Sequence, residues 1–329
     1  MSTPGAGRVA VITLGGTIAM TSQDGNAVTP TLAAEDLVAA VPGLAETGIP
    51  LEVHNFRQLP GASLGFADLV ALVKLIEGLD VDGVVVTQGT DTIEETAFVL
   101  DLLHRDERPV VVTGAMRNPS MAGADGPANL LAAVRVAAAG QSPGSGCVVV
   151  FGEEIHAARR VRKTHSSSPT AFGSYPGPIG FVAEDRVRFW SRPERWPALP
   201  ADELDLAVRT GLVTLVLGDD GAVLKAAGGQ VDGLVVAGFG VGHAPAACVE
   251  VLTELAGRLP VILASRTGSG PVLTGTYGFP GSESDLLGRG LISAGTLDPL
   301  KARILLHVLL MAGLDREVIR RRLAELGNA

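Results

Sequence analysis

Short runs of β-branched residues alternate along the first half of the chain with stretches in which apolar residues recur every three or four positions. Leu69, Leu72 and Ile76 illustrate the helical spacing, because they fall on one face of a helix predicted over residues 66–77. The apolar runs predict strands at residues 8–14, 51–56, 83–87, 109–113 and 147–151. The intervening stretches predict helices at residues 33–40, 66–77, 92–104 and 125–139. This alternation is typical of a doubly wound, mostly parallel sheet with right-handed crossovers.

The pattern changes after a hairpin predicted over residues 181–190. Residues 191–205 have no periodicity and contain three prolines, which favours a linker. The alternation then resumes, with strands predicted at residues 212–217, 233–237 and 260–264 and helices at 246–256, 299–311 and 315–326. We therefore predict an α/β protein with a larger N-terminal domain (residues 1–190), a linker (191–211) and a smaller C-terminal α/β domain (212–329).

Composition narrows the class of protein. Hydrophobic residues make up 47% of the 329 residues but aromatic residues only 4%, so the core must be built from aliphatic side chains, which suits buried parallel strands. The net charge of −9, without a basic cluster, argues against binding to nucleic acid. The sequence contains neither a run of 18 apolar residues nor the features of a signal peptide, so no membrane span is expected and the cytoplasm is the expected compartment. Cys147 and Cys248 suggest neither a disulfide framework nor a metal site.

Two polar clusters follow predicted strands, where ligands bind in open α/β sheets. The first is Leu-Gly-Gly-Thr-Ile-Ala-Met at residues 14–20, in which paired glycines allow a ligand to approach the backbone closely. A phosphate loop would require a Gly-Lys-Ser/Thr ending, which is absent, and an ordinary turn is the alternative. The second cluster is Thr-Gln-Gly-Thr-Asp-Thr-Ile-Glu-Glu-Thr at residues 87–96. Residues 92–95 also match a helix capping box, although three hydroxyls and a carboxylate exceed what a cap requires.

Together, these clusters resemble the signatures of the bacterial-type L-asparaginase and glutaminase-asparaginase family. Further segments that resemble the family follow in the expected order, at residues 114–117 (Gly-Ala-Met-Arg), 124–130, 161–164 (Val-Arg-Lys-Thr) and 293–303. The resemblance extends over nearly the whole chain. It implies hydrolysis of L-asparagine to L-aspartate and ammonia by an enzyme that needs no metal or other cofactor.

The resemblance also implies roles for four residues. An amide is a poor electrophile, so its hydrolysis requires an activated nucleophile. By similarity, Thr17 is the nucleophile, and Thr90, Asp91 and Lys163 form a relay that moves protons. A lysine shielded from water holds its proton less tightly than an exposed one, and can therefore accept a proton. From spacing alone, Lys163 is a surface charge beside three arginines.

Substrate contacts implied by the resemblance come from several loops. Gln58 is expected to hold the α-carboxylate and Asp91 the α-ammonium group, while backbone near Gly16, Gly89 and Ala115 surrounds the amide. Backbone N–H groups near Thr90 and Ala115 are expected to stabilise the oxyanion.

The resemblance further implies a homotetramer, built as a pair of dimers, in which the C-terminal domain of a neighbouring subunit completes each site. His243 and Glu283 are the candidates for this contribution. The alternative for His243 is a structural role, in which the side chain forms its hydrogen bonds within its own loop.

The sequence departs from the family pattern at several positions. Members of the family usually carry a tyrosine on the loop after the first signature, whereas residues 20–31 contain none here. Ser22, Asp24 and Thr29 are the polar residues that offer a replacement. Gln88 stands where the family often has histidine, and Arg57 where many members have serine. The missing tyrosine places the turnover rate in question, on the scale of about 10²-fold or more that general acid–base groups contribute.

Three alternatives remain open. The first is a glutaminase-asparaginase or another hydrolase of small ω-amides, because one methylene changes binding by only about 1–3 kcal/mol. The second is a dinucleotide-binding protein, suggested by Gly-Phe-Gly-Val-Gly at residues 238–242, although the spacing differs from Gly-x-Gly-x-x-Gly. The third is a catalytically impaired protein that binds aspartate or asparagine, suggested by the missing tyrosine.

Overall fold

Two compact units make up the fold, each with its own parallel sheet. The structure is a computed structural model that describes residues 7–21, 29–30, 34–139, 144, 146–192, 196–199 and 203–327. The units divide between Ala198 and Leu199, a point that lies inside the predicted linker. Of the three linker prolines, Pro193 and Pro200 lie outside the described residues. The predicted α/β fold, with a larger N-terminal and a smaller C-terminal sheet, is confirmed.

The N-terminal unit contains twelve strands and four α-helices in its described part. The strands are β1 (Val9–Thr13), β2 (Met20–Thr21), β3 (Thr29–Pro30), β4 (Leu51–Asn55), β5 (Gly83–Thr87), β6 (Val110–Thr113), β7 (Cys147–Phe151), β8 (Glu154–Ala157), β9 (Val161–Lys163), β10 (Phe172–Ser174), β11 (Gly180–Ala183) and β12 (Arg186–Phe189). The helices are α1 (Ala34–Ala39), α2 (Phe66–Gly78), α3 (Ile93–Leu103) and α4 (Gly126–Ala138).

Eight of these strands form one sheet, in the order β12-β11-β8-β7-β6-β5-β1-β4. The five strands from β4 to β7 are parallel, and the remaining three are antiparallel. From β1 the chain crosses to β4 on one side, whereas from β5 it crosses to β6 on the other. The loops after β1 and β5 therefore diverge, and this reversal makes the topological switch point at which open α/β sheets bind ligands.

The central strands are buried on both faces, because helices cover the sheet on each side. Along β5, Val85 packs into a cluster with α1 and α4, whereas Val84 and Val86 point to the opposite face. Helices α2 and α3 contact each other, and α3 also contacts β6 and β7. A strand that is covered on both faces has no solvent-facing positions, which explains why these runs are continuously apolar in the sequence.

A short hairpin, β9–β10, carries Lys163 and was not predicted from the sequence. Lys163 pairs with Phe172 across the two strands. The ring of Phe172 lies 4.7 Å from that of Phe151 at the end of β7. At the other end of β10, the hydroxyl of Ser174 lies 2.9 Å from Nδ1 of the buried His156 on β8. The hairpin is thus fastened to the main sheet at two points.

The C-terminal unit is a four-stranded parallel sheet in the order β13-β14-β15-β16. The strands are β13 (Thr210–Thr214), β14 (Gly233–Gly238), β15 (Val261–Ser265) and β16 (Ile292–Ser293). The helices are α5 (Ala222–Gly228), α6 (Val249–Arg258), α7 (Glu283–Gly288), α8 (Pro299–Met311) and α9 (Arg316–Gly327). No helix within the described ranges combines the length and apolar character needed to cross a bilayer.

The first strand of this unit begins earlier than predicted. The sequence placed it at residues 212–217, but β13 pairs with β14 from Thr210 onward and ends at Thr214. The side chain of Leu217 is 97% exposed, so the apolar run continues past the sheet into a surface loop. Hydrophobicity alone therefore misplaced this boundary.

Both tryptophans of the chain lie in the N-terminal unit. The indole of Trp190 donates a hydrogen bond to the carbonyl of Pro178 (2.7 Å) and lies 5.3 Å from the ring of Phe181. The guanidinium of Arg159 lies 4.8 Å from the ring of Trp196.

Candidate functional site

Hydrogen bonds between backbone groups join the loops that leave the carboxyl ends of the central strands. The N–H of Leu14 donates to the carbonyl of Thr87, and the N–H of Leu59 donates to the carbonyl of Leu14, both at 2.9 Å. The N–H of Gln88 donates to the carbonyl of Thr113 at 3.1 Å. The loops after β1, β4 and β5 and the end of β6 are therefore held at one edge of the sheet, as the sequence predicted for the two polar clusters.

Two glycines of the first cluster make this contact possible. Gly16 has φ +90°, and a Cβ on it would lie 2.1 Å from the backbone nitrogen of Gly89. Gly15 has φ +97°, and a Cβ there would lie 2.8 Å from the backbone of Leu59. Only glycine tolerates both the conformation and the close approach. The half-buried Thr17 follows immediately, at the start of a single 3₁₀ turn (Thr17–Ala19), so its backbone adjoins the loop that contains Gly89.

Lys163 reaches the second cluster from its hairpin. Its Nζ donates to Oγ1 of Thr90 at 3.0 Å and to Oδ1 of Asp91 at 2.9 Å. Thr90 and Lys163 are shielded from water, with 7% of Thr90 and 15% of the lysine side chain exposed. Asp91 is 65% exposed in this chain. The structure thus brings together three residues that are up to 73 positions apart in the sequence.

This arrangement can hold and move a proton. The ammonium group bridges a hydroxyl and a carboxylate, so its nitrogen can take up the proton that leaves Thr90 as it passes one of its own protons to Asp91. The remaining carboxylate oxygen of Asp91 is on the solvent-exposed side chain, where it can accept hydrogen bonds from a cationic group. The alternative of a lysine free on the surface beside the arginines is not what the structure shows.

A carboxylate at the start of α4 fixes the loop that contains Ala115. Asp125 accepts the N–H of Met116 through Oδ2 (3.0 Å) and that of Arg117 through Oδ1 (2.9 Å). Asn129, one turn further along α4, donates to the carbonyl of Gly114 at 3.0 Å. These two side chains were part of the resemblance but were not singled out as site residues. These bonds join backbone groups eight to fifteen residues away, so they leave no local sequence pattern.

Gln58 lies on the exposed loop after β4, next to the first glycine pair. Its neighbour Arg57 turns towards α2, where its Nε donates to Oδ1 of Asp68 at 2.9 Å. This hydrogen bond lowers the pKa of Asp68 below its usual value, although burial opposes the shift. Arg57 is thereby committed to an ion pair at the start of α2.

Thr92 does not cap α3 as the capping-box pattern suggested. It occupies the position before the helix, but its side chain makes no capping hydrogen bond. Instead its hydroxyl donates to the carbonyl of Gly61, at 2.9 Å, on the loop that follows Gln58. No local sequence pattern indicates this contact, because the acceptor is a backbone group 31 residues away.

His243 and Glu283 lie together in the C-terminal unit. The carboxylate of Glu283 is fully buried; its Oε1 accepts the N–H groups of Thr276 and Tyr277, each at 2.8 Å, and its Oε2 lies 3.2 Å from Nε2 of His243. Burial raises the pKa of Glu283, but the hydrogen bonds from these backbone N–H groups and from His243 outweigh it and leave the pKa lowered. The imidazole packs edge-on against Tyr277 (4.9 Å) and Phe279 (5.0 Å). Glu283 thus orients its own loop and His243.

The glycine run at residues 238–242 forms a turn that closes on itself. Phe239 and His243 exchange backbone hydrogen bonds of 2.8 Å, and Gly242 has φ +113°. The glycines therefore serve the turn, and the next α-helix begins only at Val249. This geometry differs from a dinucleotide-binding loop, in which the glycines lead directly into a helix.

Part of the predicted loop lies outside the described residues. Ser22 and Asp24, proposed as replacements for the missing tyrosine, belong to the undescribed residues 22–28. For Thr29 the structure gives only the backbone, which pairs with Thr21.

Comparisons with known proteins agree with this architecture in both units. The asparaginase N-terminal family model matches residues 8–195, and the glutaminase/asparaginase C-terminal domain model matches residues 209–323. The chain therefore belongs to the asparaginase family, and the resemblance noted in the sequence is confirmed.

Individual relatives cover almost the whole chain. A probable L-asparaginase of Deinococcus radiodurans is 41% identical over 321 residues, which cover 95% of this chain and 96% of the relative. An L-asparaginase of Bacillus licheniformis is 35% identical over 313 residues, covering 92% and 95%. The crystal structure of a probable cytoplasmic L-asparaginase from Campylobacter jejuni superimposes with a TM-score of 0.83 at 32% identity, covering 96% of this chain and 99% of that one. A further relative, from Haemophilus influenzae, is named a probable periplasmic L-asparaginase.

Proposed function

We propose that this chain hydrolyses L-asparagine to L-aspartate and ammonia at the switch point of its N-terminal sheet. The observation that carries the proposal is the position of Lys163 Nζ, 3.0 Å from the Thr90 hydroxyl and 2.9 Å from the Asp91 carboxylate, in a member of the asparaginase family. The relatives named L-asparaginase support the same reaction.

The reaction takes place in two halves. Thr17 Oγ1 attacks the side-chain amide carbon, and its proton passes to the relay of Thr90 and Lys163. The tetrahedral intermediate places its negative oxygen among backbone N–H groups near Thr90 and Ala115. The C–N bond then breaks, the nitrogen takes up a proton and leaves as ammonia, and an ester of Thr17 remains. Water attacks this ester, releases aspartate and restores the hydroxyl.

Substrate binding uses the loops around this centre. Asp91 binds the α-ammonium group through its exposed carboxylate, and Gln58 holds the α-carboxylate. The backbone of Gly16 and Gly89 lines the space for the amide. The same geometry also allows Thr90 to attack while Thr17 orients the amide, so the two threonines are tested side by side.

Ammonia release from L-asparagine, L-glutamine and D-asparagine tests the proposal. We expect the Thr17→Ala variant to lose at least about 10³-fold in kcat with L-asparagine, as nucleophile deletions do. Thr17→Ser should retain measurable activity because it keeps a hydroxyl, and Thr214→Ala, an exposed threonine on β13, should match the wild type. Retention of an acyl-enzyme in Thr17→Ala but not in Thr90→Ala would assign the attack to Thr90. Absence of ammonia from every substrate with wild-type protein would refute the reaction.

Glutamine is the second candidate substrate, because the C-terminal domain model is shared by glutaminases and asparaginases. An extra methylene changes binding by about 1–3 kcal/mol, which corresponds to a preference of about 10–200-fold. The ratio of kcat/KM for the two substrates decides between a selective asparaginase and a glutaminase-asparaginase.

A binding protein without turnover is the remaining candidate, favoured by the absence of tyrosine from residues 20–31. In that case L-aspartate would raise the melting temperature although no ammonia is released. The two measurements together separate this outcome from a chain that neither binds nor turns over.

We also propose a cytoplasmic location and a homotetramer in which a neighbouring subunit completes each site through His243 and the Glu283 that holds it. The family and the name of the Campylobacter jejuni protein support these proposals, and the periplasmic name of the Haemophilus influenzae relative opposes the first. Light scattering with size exclusion measures the subunit number. Recovery of activity on mixing Lys163→Met with His243→Ala subunits would support shared sites, and cell fractionation tests the location.

A further inference from the structure

Gln88 occupies a fully buried position beneath the turn that contains Thr90 and Asp91. Its amide nitrogen, Nε2, donates to the carbonyl of Gly89 and to Oγ1 of Thr92, each at 3.2 Å. Both protons of the amide are therefore used within this one turn. The orientation of the amide is determined by these contacts, because the flipped amide would place its oxygen against the carbonyl oxygen of Gly89.

Thr92 connects this turn to a second loop. Its hydroxyl accepts a hydrogen bond from the Gln88 amide and donates one to the carbonyl of Gly61 at 2.9 Å. The backbones also meet directly at this point, since a Cβ on Gly61 would lie 2.8 Å from the carbonyl oxygen of Gly89. A continuous chain of hydrogen bonds thus runs from Gly89 through Gln88 and Thr92 to Gly61.

The two loops joined by this chain have different tasks in the proposed reaction. Residues 89–92 carry Thr90 and Asp91, which serve proton transfer and the α-ammonium group. The loop before Gly61 carries Gln58, which is proposed to hold the α-carboxylate. The first part of that loop is fixed by backbone bonds to the end of β1: the N–H groups of Phe56 and Arg57 donate to the carbonyl of Thr13, and that of Leu59 donates to the carbonyl of Leu14. The other end is fixed by Thr92.

We propose that Gln88 and Thr92 are positioning residues that hold the carboxylate-binding loop at a set distance from Thr90 and Asp91, and so select substrates that carry an α-carboxylate. This inference rests on the proposed function of the site. Its consequence is a defect in KM rather than in kcat, because the lysine relay reaches Thr90 from a separate element, the strand β9.

The central experiment compares three single substitutions on α3 and the turn before it. Thr92→Val removes the hydroxyl and keeps the shape, and Thr92→Ser restores the hydroxyl. Thr96→Val makes the same chemical change one turn later on α3, at a buried hydroxyl that has no hydrogen-bond partner in the part of the chain that the structure describes. We expect Thr92→Val to raise the KM for L-asparagine by about 10-fold or more with kcat within about 3-fold, since small displacements of a binding group have effects of this size. Thr92→Ser and Thr96→Val should keep the wild-type KM.

A substrate that lacks the α-carboxylate distinguishes positioning from general damage. The probe is 3-aminopropanamide, which retains the amide and the ammonium group and is measured as a substrate or as a competitor of L-asparagine. Its apparent affinity should be equal in wild type and Thr92→Val, because it makes no contact with Gln58. An equal loss of affinity for both compounds would overturn the proposal.

Gln88→Met provides a second variant, because methionine fills a similar volume without donors. It should reproduce the KM defect of Thr92→Val, and the double variant should be no worse than either single variant. Additive defects, or a fall in kcat with KM unchanged, would contradict a shared role. If Thr92→Val does not fold, the Gln88→Met comparison decides the question. Wild-type protein that releases no ammonia would refute the proposed function, whereas active wild-type protein with an unaltered KM in both variants refutes only this inference.

Discussion

At the scale of single residues, the absence of a Cβ at Gly16 allows the loop of residues 14–20 to contact the loop of residues 87–96. A methyl group at position 16 would lie 2.1 Å from the nitrogen and 2.3 Å from the Cα of Gly89, and the φ of +90° adds strain. We expect Gly16→Ala to lower the free energy of unfolding by about 1–3 kcal/mol, the cost of overpacking, and to abolish ammonia release. Urea unfolding and the activity assay measure both effects.

Gly78→Ala is the matched control for that substitution. A Cβ at the end of α2 meets no atom within 4 Å, so this variant should keep full activity and stability. If Gly16→Ala behaved like Gly78→Ala, the close contact between the loops would not exist in solution.

Lys163 is the residue on which the proton relay depends. Lys163→Met keeps the length of the side chain but removes the nitrogen that contacts Thr90 and Asp91. We expect kcat to fall by about 10²–10⁴-fold, the usual contribution of a positioned acid or base. Lys74→Met, an exposed lysine on α2, is the control. Wild-type kcat in Lys163→Met would exclude the relay.

At the scale of elements, the β9–β10 hairpin determines where the lysine stands. Ser174→Ala removes the hydroxyl that lies 2.9 Å from His156 Nδ1, which is one of the two fastenings of the hairpin. We expect a loss of about 1 kcal/mol of stability, the net value of one hydrogen bond, and a measurable fall in kcat as Lys163 gains freedom.

The control for the hairpin is Ser166→Ala, an exposed serine in the connection between its strands. Hydrogen exchange of the Val161–Lys163 amides gives a second measure that does not depend on turnover. Unchanged protection in Ser174→Ala would show that the aromatic contact of Phe172 alone holds the hairpin.

Elements with a clear hydrophobic periodicity were predictable from the sequence, whereas strands that depend on pairing with residues distant in the sequence were not. The bounds of β5, β7 and α8 match the predictions, because the two strands are short β-branched runs and α8 begins with a proline directly after its capping residue, Asp298. Strands β8 to β10 are three or four residues long and include His156 and Lys163, so their hydrophobic period is too short to recognise. They are strands because neighbouring backbone pairs with them.

The residues of the candidate site likewise include some that the sequence predicts and others that it does not. Glycines followed by hydroxyls at the ends of strands are visible in the sequence, and the resemblance adds Lys163. The roles of Asp125, Gln88 and Thr92 were not predictable, because Asp125 and Thr92 act on backbone groups distant in sequence, and Gln88 acts on the backbone of Gly89. Backbone acceptors carry no residue-type signature, so only the folded chain reveals such contacts.

At the scale of the whole molecule, each unit contains a buried histidine whose pKa is lowered, His156 in the N-terminal unit and His307 in the C-terminal unit. Burial lowers the pKa of His156 from 6.5 to about 4. Burial, with a smaller contribution from Arg303, lowers the pKa of His307 to about 4 as well. Both imidazoles are therefore neutral in the fold, while the unfolded chain takes up protons below pH 6.5.

Stability should consequently fall as the pH decreases from about 6.5 to about 4, and level off below that range for these two groups. Each histidine contributes a loss of up to about 3 kcal/mol over this window. Melting temperatures measured between pH 7.5 and 4 should fall less steeply in His156→Gln and His307→Gln than in wild type. His165→Gln, an exposed histidine, should keep the wild-type slope. Equal slopes in all four proteins would assign the acid sensitivity to other groups.

The location of the two tryptophans makes the units spectroscopically unequal. Trp190 and Trp196 both belong to the N-terminal unit, so indole emission reports on the unit that contains His156, while the unit that contains His307 holds no indole. Far-ultraviolet circular dichroism, in contrast, records the helices of both. An acid titration followed by the two signals therefore measures cooperativity: coincident midpoints mean that the units unfold as one, and an emission change that lags behind the dichroism means that the C-terminal unit unfolds first.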